Sequence, residues 1–193
     1  MLKAIYKNID KAKNHLLNGY PIIYPTDTLY SFGAIANDDV TIKKINELKK
    51  RTSPISIIVS NIKEIEKYGH VHSKHKELIN NIFPGKYTIL LKAKKHSLSK
   101  LIQNKSNLIG IRIPKELFCT KLVSALSIPI ITTSINEHGN PPLTNVEIIK
   151  KTYPKIQIYY SKRNLESKGS TILDLSDDQS INTMRQGDGE IIT

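Results

Sequence analysis

Apolar residues recur at two different spacings along this chain, and the two spacings alternate from the first residues onward. Ile9, Ala12, Leu16 and Leu17 recur at helical intervals, which predicts a first helix within residues 8–19. The next apolar run, residues 21–24, is short and rich in β-formers, so it predicts a buried strand. A helix followed directly by a strand is typical of the start of an α/β arrangement.

The same two patterns continue along the rest of the chain. Further helices are predicted over residues 40–48, 62–68, 74–82, 116–126 and 146–151, and further strands over residues 55–59, 87–91, 108–113, 128–131, 156–160 and 172–175. Asp38 or Asp39 can cap the helix at 40–48. Residues 177–182 are polar and are expected to form a loose connection. Because helices and strands alternate, the fold class is predicted to be α/β, with a twisted, mixed sheet.

The length of 193 residues suits one domain with one sizeable core, so residues 1–193 are predicted to form a single domain. The sequence contains no apolar run near the ~20 residues that a membrane span needs, and no signal-peptide core at its start. We therefore expect no membrane span and a cytoplasmic location. The one cysteine, Cys119, cannot form an internal disulfide and is expected to be a small buried residue.

The chain carries a large excess of positive charge. It has 29 Lys and Arg against 17 Asp and Glu, a formal net charge of +12. Such an excess favours anionic partners, which means nucleotides or RNA. A composition rich in lysine, isoleucine and asparagine explains the same excess without any function, and the lysines of residues 92–105 are interpreted as a solvated face.

The densest candidate chemistry is the peptide YPTDTLYSFG at residues 24–33, which overlaps the end of the predicted strand at 21–24. It places hydroxyls, a carboxylate and aromatic rings together, which is poor composition for a core and good composition for a pocket wall. In open α/β sheets, ligands bind at the carboxyl ends of strands, so this segment is predicted to form one side of a binding pocket.

The peptide closely resembles the signature of the YrdC family, also called TsaC, which comprises L-threonylcarbamoyladenylate synthases. Six further segments resemble family motifs and follow in the expected order along the chain. They are KKRTSPISIIV (49–59), FPGKYTILLKA (83–93), GIRIP (110–114), TTSINEHGNPP (132–142), STILDL (170–175) and MRQGDGEI (184–191). Each segment alone is weak, and the strength of the resemblance lies in their common order.

The resemblance implies a YrdC-like fold, in which a twisted mixed sheet with flanking helices surrounds a positively charged concave pocket. It implies a nucleotidyltransferase that forms threonylcarbamoyl-AMP and pyrophosphate from L-threonine, bicarbonate and ATP, for N6-threonylcarbamoyladenosine modification of tRNA. Mg²⁺ would come with the ATP, and tRNA-modifying transferase proteins would act downstream. Such a site must hold two anions that repel each other, so positioned cations are expected to do most of the work.

The matching motifs give roles to individual residues. The resemblance assigns Lys49, Arg51, Asn136 and Arg185 to the nucleotide and Thr28, Arg112, Ser134 and Ser170 to threonine, and it makes Lys49, Arg51 and Arg112 the catalytic residues. It assigns no residue to a metal. We expect the four basic side chains to converge on one hollow beside Thr28 and Ser134.

These assignments have structural alternatives. Lys49 and Arg51 end a predicted helix, where the helix dipole favours cations without any ligand. Arg112 stands among apolar strand residues, and a salt bridge to an acid such as Asp174 would also satisfy its guanidinium. The serine and asparagine of TTSIN are common in ordinary turns.

Two features raise the question of a metal. Asp27 can orient a hydroxyl, cap its loop or touch a magnesium ion. His70, His72 and His75 have an H-x-H-x-x-H spacing that can bind zinc. They fall outside the family motifs, and solvated histidines are the favoured interpretation.

The chain departs from the family pattern at four positions. Many relatives carry glycine at Ser31, alanine at Ile135 and serine at His138, and some carry a threonine-contacting histidine at Ser60. Larger side chains at the first three positions would narrow the pocket or change the nucleotide preference. These departures keep open a family paralogue that uses the same nucleotide pocket with another acceptor.

A different class of function also fits the net charge. An RNA-binding or translation-associated module would use the same positive concavity without making an adenylate. No RNA-recognition signature supports it, and aromatic residues for base stacking are few. Binding that falls steeply with salt and ignores ATP and threonine would favour this alternative.

Overall fold

Nine strands join one mixed sheet in the computed structural model, which describes residues 2–51, 53–160 and 166–190. They are β1 (Ile22–Pro25), β2 (Tyr30–Gly33), β3 (Ser56–Ile58), β4 (Tyr87–Lys92), β5 (Leu108–Arg112), β6 (Ile130–Ser134), β7 (Gln157–Ile158), β8 (Thr171–Asp174) and β9 (Asn182–Arg185). Their order across the sheet is β7-β1-β2-β6-β3-β5-β4-β8-β9. The pairs β1–β7, β3–β5 and β4–β8 are parallel, and the other neighbours are antiparallel.

Helices connect and cover these strands. They are α1 (Leu2–Leu17), α2 (Asp39–Lys49), α3 (Ile65–Tyr68), α4 (Lys76–Ile82), α5 (Leu117–Leu126) and α6 (Val146–Thr152). The helix α2 begins at Asp38, whose carboxylate accepts the Thr41 N–H at 3.0 Å, and it ends at Lys50 in the left-handed conformation. In the described ranges, no helix combines the length and the apolarity needed to cross a bilayer.

One face of the sheet is mainly apolar. Side chains alternate between the two faces of a strand, so Ile57, Ile111 and Ile131 point to the same side of three adjacent strands. They belong to a large buried cluster with Ile42 and Ile45 of α2 and with residues of α3, α4 and α6. This cluster is the main core of the protein.

The opposite face has two halves. At one end, α1 and α5 pack against each other and against Ile22, Ile58 and Ile130, which forms a second apolar cluster. Cys119 lies in that cluster and is fully buried, as predicted, and burial raises the pKa of its thiol. The other half of the same face carries hydroxyl and basic side chains, and no helix covers it among the described residues.

The predicted α/β class, with a mixed sheet and flanking helices, is confirmed. Two strands were not predicted. The strand β2 lies inside the segment interpreted as a ligand loop, where Ser31 and Gly33 conceal the apolar alternation. The strand β9 has four exposed residues and no apolar pattern, and it forms because its backbone pairs with β8 at the edge of the sheet. The predicted helix at 62–68 is a 3-10 turn, Ile62–Glu64, followed by the single turn of α3.

Candidate active site

A cavity occupies the polar half of the sheet face, with an empty volume of about 660 Å³ that includes its open mouth. Its walls are Thr28, Leu29, Ser31, Arg51, Ser56, Thr88, Arg112, Thr132, Thr133, Ser134, Pro142, Lys168, Gly169, Ser170, Ile172 and Arg185. Four of these residues are basic, and none of the described residues that line the cavity is acidic. The composition suits an anionic ligand.

The hydroxyls of the cavity floor come from strand alternation. Ser31 faces Ser134 across β2 and β6, and Ser56 faces Thr132 across β3 and β6. Gly110 lies beside Ser56 in the next strand, and a Cβ at this glycine would lie 2.6 Å from the Ser56 Oγ. The floor is therefore a packed surface in which neighbouring strands present hydroxyls, with a glycine where a side chain has no room.

Arg112 ends β5 and reaches across the cavity to the turn between β1 and β2. Its Nη2 donates to the Asp27 Oδ1 at 3.0 Å and to the Thr28 Oγ1 at 3.2 Å. Three strands separate β5 from β1 in the sheet order, so this contact shows that the sheet curves around the cavity. The Asp27 and Arg112 side chains are only 3% and 8% exposed, so the ion pair is almost dry.

The structural alternative, a salt bridge between Arg112 and an acid, is therefore present, but the acid is Asp27 and the suggested Asp174 is wrong. Asp27 is held on its other oxygen by the Lys115 N–H, with an Oδ2 to N distance of 2.8 Å. Burial raises the pKa of the Asp27 carboxyl, and the Arg112 guanidinium and the Lys115 N–H act against that rise. The Arg112 Nε is buried and has no hydrogen-bond acceptor among the residues that the structure describes.

The turn that carries Asp27 and Thr28 is fixed by Thr26, a buried residue. The Thr26 Oγ1 accepts the N–H groups of Thr28 at 3.1 Å and Leu29 at 3.2 Å. It also donates to the Leu29 carbonyl at 2.8 Å. A hydroxyl that binds the backbone in this way stabilises a turn, so Thr26 holds the turn that carries Asp27 and Thr28 in one conformation.

Arg51 enters the cavity just beyond the end of α2. Its Nε donates to the Ser53 carbonyl at 3.0 Å, its Nη1 to the Thr133 Oγ1 at 3.0 Å, and its Nη2 to the Pro54 carbonyl. Burial, and secondly the charge of Arg185, lowers the pKa of this guanidinium. The side chain is thus held in place while its remaining N–H groups stay available to a ligand.

Arg185 comes to the cavity from the edge strand β9. Its Nη2 donates to the Ser170 carbonyl at 2.7 Å and lies 3.2 Å from the Ser170 Oγ, which in turn lies 2.8 Å from the Thr88 Oγ1. Burial, and secondly the charge of Arg112, lowers the pKa of Arg185. Three guanidinium groups therefore share one cavity without neutralising carboxylates along its walls, apart from the ion pair of Arg112 behind them.

Lys49 does not line the cavity, although the other three predicted cations do. It is 1% exposed, and its Nζ donates to the Ser134 carbonyl at 2.5 Å, the Asn136 carbonyl at 2.8 Å and the Asn136 Oδ1 at 2.5 Å. Burial, and secondly Arg51, lowers its pKa to about 8. The expected convergence of four cations on one hollow is therefore correct for three and wrong for Lys49.

The cavity brings together most of the predicted site residues. Thr28, Arg51, Arg112, Ser134, Ser170 and Arg185 line it, whereas Lys49 and Asn136 lie behind its wall. Ser31, which was expected to narrow the pocket, also lines it, whereas Ser56, Thr88, Thr132 and Lys168 were not predicted. Strand alternation would have found the hydroxyls once the register of the strands was known, but no sequence signal marks Lys168.

The histidine motif does not form a zinc site. Among the described residues, which include all three histidines, no group of three possible ligands is arranged to hold a metal ion. The His75 Nε2 lies 2.7 Å from the Asp177 carbonyl oxygen. The expectation of solvated histidines is correct for His70, which is exposed, and wrong for His75, which is buried and bonded within the chain.

The departures from the family pattern fall in different places. Ser31 lines the cavity, so its hydroxymethyl group adds to the floor. Ile135 is fully buried in the main core, and His138 is exposed with its N–H bound to the Lys49 carbonyl. Ser60 lies outside the cavity wall, and its N–H and Oγ bind the Glu64 carboxylate at 2.8 and 2.9 Å.

Comparison with known proteins identifies relatives over nearly the whole chain. A protein of Methanocaldococcus jannaschii named putative threonylcarbamoyl-AMP synthase is 37% identical over 189 residues, which cover 94% of this chain and 86% of that protein. The crystal structure of Escherichia coli YciO matches with a TM-score of 0.86 and 28% identity, and covers 95% of this chain and 91% of that chain.

The crystal structure of P. abyssi Sua5 complexed with L-threonine matches with a TM-score of 0.83 and 25% identity. The match covers 93% of this chain and 54% of that chain, so the chain spans about half the length of that protein. The family model of the Sua5, YciO and YrdC proteins, described as "Telomere recombination", matches residues 14–187. The resemblance and the fold inferred from the motifs are thereby confirmed, and the chain belongs to the Sua5/YciO/YrdC family.

Proposed function

We propose that this protein is a threonylcarbamoyl-AMP synthase, which forms threonylcarbamoyl-AMP and pyrophosphate from L-threonine, bicarbonate and ATP. The observation that carries the proposal is the cavity in which Arg51, Arg112 and Arg185 meet above a floor of hydroxyls. The name of the M. jannaschii relative and the threonine in the Sua5 complex support it. The product would serve N6-threonylcarbamoyladenosine modification of tRNA, through transferase proteins that act afterwards.

The amino-acid end of the substrate is proposed to lie at Arg112. The Asp27 carboxylate accepts from the Nη2 of the guanidinium, and the buried Nε has no acceptor among the described residues. A buried donor without a partner is costly, so a ligand carboxylate next to it would be stabilised. Thr28 and Ser170 line the same cavity and would supply hydroxyls to the amino and hydroxyl groups of threonine.

The nucleotide phosphates are proposed to lie between Arg51 and Arg185. The charge of Arg185 lowers the pKa of Arg51, and that of Arg112 lowers the pKa of Arg185, so the three cations repel one another. A polyanion between them relieves this repulsion. Lys168 adds a fourth positive charge to the same wall.

The proposed chemistry follows from holding two anions in line. The threonine nitrogen attacks the carbon of bicarbonate or carbon dioxide and forms a carbamate, with loss of water from bicarbonate or of a proton when carbon dioxide reacts. A carbamate oxygen then attacks the α-phosphorus of ATP, the bond from that phosphorus to the bridging oxygen breaks, and pyrophosphate leaves. Arg112, Arg51 and Arg185 would orient the carbamate and the phosphates and offset the charge that develops.

The donor set of the cavity does not favour a metal ion. Its walls offer hydroxyls and cations, and the Asp27 carboxylate beside Arg112 already accepts from Arg112 and Lys115. Mg²⁺ prefers carboxylate, phosphate and water oxygens. We propose that any Mg²⁺ is bound by the phosphates of ATP and not by side chains of the protein.

The test is a pyrophosphate-release assay with substrates left out one at a time. Release of pyrophosphate should require ATP, L-threonine and bicarbonate together. The same assay with serine or glycine in place of threonine measures the selectivity for the amino acid. Release that continues without threonine or bicarbonate would refute the assignment. Binding of tRNA that falls steeply with salt and ignores ATP and threonine would support an RNA-binding module instead.

A further inference from the structure

Lys49 has no hydrogen-bond donor left for a phosphate. An ammonium group has three N–H bonds, and the Lys49 Nζ lies at 2.5, 2.8 and 2.5 Å from three acceptors, all of them in residues 134–136. The group is also 1% exposed and is absent from the cavity wall. A phosphate contact would therefore require Lys49 to give up bonds that it already makes.

The side-chain amide of Asn136 also makes its hydrogen bonds to groups of the protein itself. Its Oδ1 accepts from Lys49 and also from the Ser134 Oγ, at 2.8 Å. Its Nδ2 donates to the Asn140 carbonyl at 2.6 Å. The His138 N–H binds the Lys49 carbonyl at 2.7 Å, so the backbone of the lysine holds the same loop.

We infer that Lys49 and Asn136 are positioning residues that fix the end of β6, and that they act on the amino-acid substrate through Ser134 rather than on the phosphates of ATP. Because the Ser134 hydroxyl gives its proton to Asn136, its oxygen faces the cavity as an acceptor. In the proposed function, an acceptor on this wall suits the N–H or O–H groups of threonine. The inference rests on that function only for the identity of the substrate.

The hydrogen bonds of Lys49 and Asn136 to the end of β6 are called the brace. Arg51 should keep its position when the brace is removed. Its Nη1 bonds to Thr133, next to the braced residues, but the carbonyls of Ser53 and Pro54 hold the same guanidinium independently. The brace therefore predicts a separation of effects. Losing it should disturb the contact with the amino acid and leave most of the phosphate contact intact.

The experiment compares Lys49→Met with Lys50→Met, which removes a neighbouring exposed lysine that pairs with Glu137. Pyrophosphate binding is measured by calorimetry and the KM for threonine by pyrophosphate release. In Lys49→Met, the KM should rise about tenfold, as expected when one hydrogen bond is misplaced, while pyrophosphate affinity stays within about twofold of the wild type. Lys50→Met should change neither quantity.

A direct phosphate ligand would give the reverse pattern. Lys49→Met would then weaken pyrophosphate binding about 10- to 100-fold, the loss expected for a charged hydrogen bond, and would leave the KM for threonine unchanged. That result overturns the inference. Asn136→Ala provides a second variant if Lys49→Met does not fold, and the same split between threonine and pyrophosphate is expected for it.

A ligand-free measurement separates this inference from the proposed function. If Lys49 and Asn136 act as one unit, the free energy of unfolding lost by Asn136→Ala should shrink by at least half when residue 49 is already Met. Fully additive losses would refute the unit. A wild-type protein without threonine-dependent turnover refutes the proposed function, and this cycle still decides whether the two residues form a brace.

Discussion

The two halves of one sheet face show how the same scaffold serves packing and binding. In one half, Ile22, Ile58 and Ile130 lie under α1 and α5 and are fully buried. In the other half, residues two positions along the same strands, Ser56 and Thr132, face an open cavity. The strand register is common to both halves, so the difference lies in the side chains and in what covers them.

The comparison also shows which half carries the electrostatic cost. The apolar half gains stability from the area that its helices remove from water. The polar half holds three guanidinium groups close together, and the pKa of Arg51 and of Arg185 is lowered by burial and by their neighbours. The positive charges of the polar half repel one another and do not stabilise it. Its stability therefore comes from the packing of the apolar half and from a bound polyanion.

The largest effect is expected from Arg112→Ala, which removes the cation at the boundary of the two halves. The kcat/KM for threonine should fall about 100-fold or more, and unfolding should become easier by about 3–5 kcal/mol because Asp27 stays buried without its partner. ATP affinity should change much less. Lys115→Ala, which removes a nearby exposed charge, is the control.

A double variant separates the two roles of Arg112. Asp27→Asn combined with Arg112→Met removes both charges and should recover part of the stability lost by Arg112→Ala, without recovering turnover. Chemical denaturation and the pyrophosphate assay measure the two quantities. Equal losses of threonine and ATP binding in the Arg112 variant would contradict the division of the cavity into two subsites.

The apolar half should respond in the opposite way. Leu122 of α5 is fully buried, so Leu122→Ala should lower the free energy of unfolding by about 2–5 kcal/mol through the cavity it leaves. The turnover of the folded fraction should stay at the wild-type value. Denaturation followed by circular dichroism, with the exposed Lys121→Ala as control, measures the effect. A large change in the KM for threonine would show that the halves are coupled.

A smaller effect is expected from Arg185→Ala at the edge of the polar half. Arg185 belongs to an exposed edge strand and shares the phosphates with Arg51, so ATP affinity should fall about tenfold. The neighbouring Met184, which is 61% exposed and does not line the cavity, gives the control Met184→Ala. Unchanged binding of ATP in Arg185→Ala would remove this arginine from the nucleotide subsite.

The smallest effect concerns pH and the buried Lys49 behind the polar half. Its pKa is lowered from 10.5 to about 8, so between these values the unfolded chain holds more protons than the native one. The contribution of Lys49 to the free energy of unfolding should therefore increase as pH rises through this window, by at most about 1.4 kcal/mol per pH unit. The charged groups nearby are Arg51 and the exposed pair of Lys50 and Glu137.

Lys49→Met should remove this contribution, and Lys50→Met should retain it. Denaturant unfolding of the three proteins between pH 7.5 and 9.5 measures the difference in slope, a window chosen around the lowered pKa of about 8. Parallel curves for the wild type and Lys49→Met would show that the lysine titrates at its ordinary pKa.

Much of the fold follows from the amino-acid sequence. The helices around Ile9 to Leu16 and Ile42 to Ile45 are determined by helical spacing, and the central strands by short runs of isoleucine. The ordered motifs determine the family, and with it the candidate residues Thr28, Arg51, Arg112, Ser134, Ser170 and Arg185 that line the cavity. These features are local or depend on residue identity, which the sequence records directly.

The tertiary structure decided the rest, because it depends on pairing between distant segments. The partner of Arg112 is Asp27 because the sheet curves, and no spacing in the sequence encodes that curvature. The strand β9 exists because β8 offers it a backbone edge. Lys49 and Arg51 are two residues apart, yet the chain turns at Lys50 in the left-handed conformation, so one side chain is buried behind the wall and the other enters the cavity.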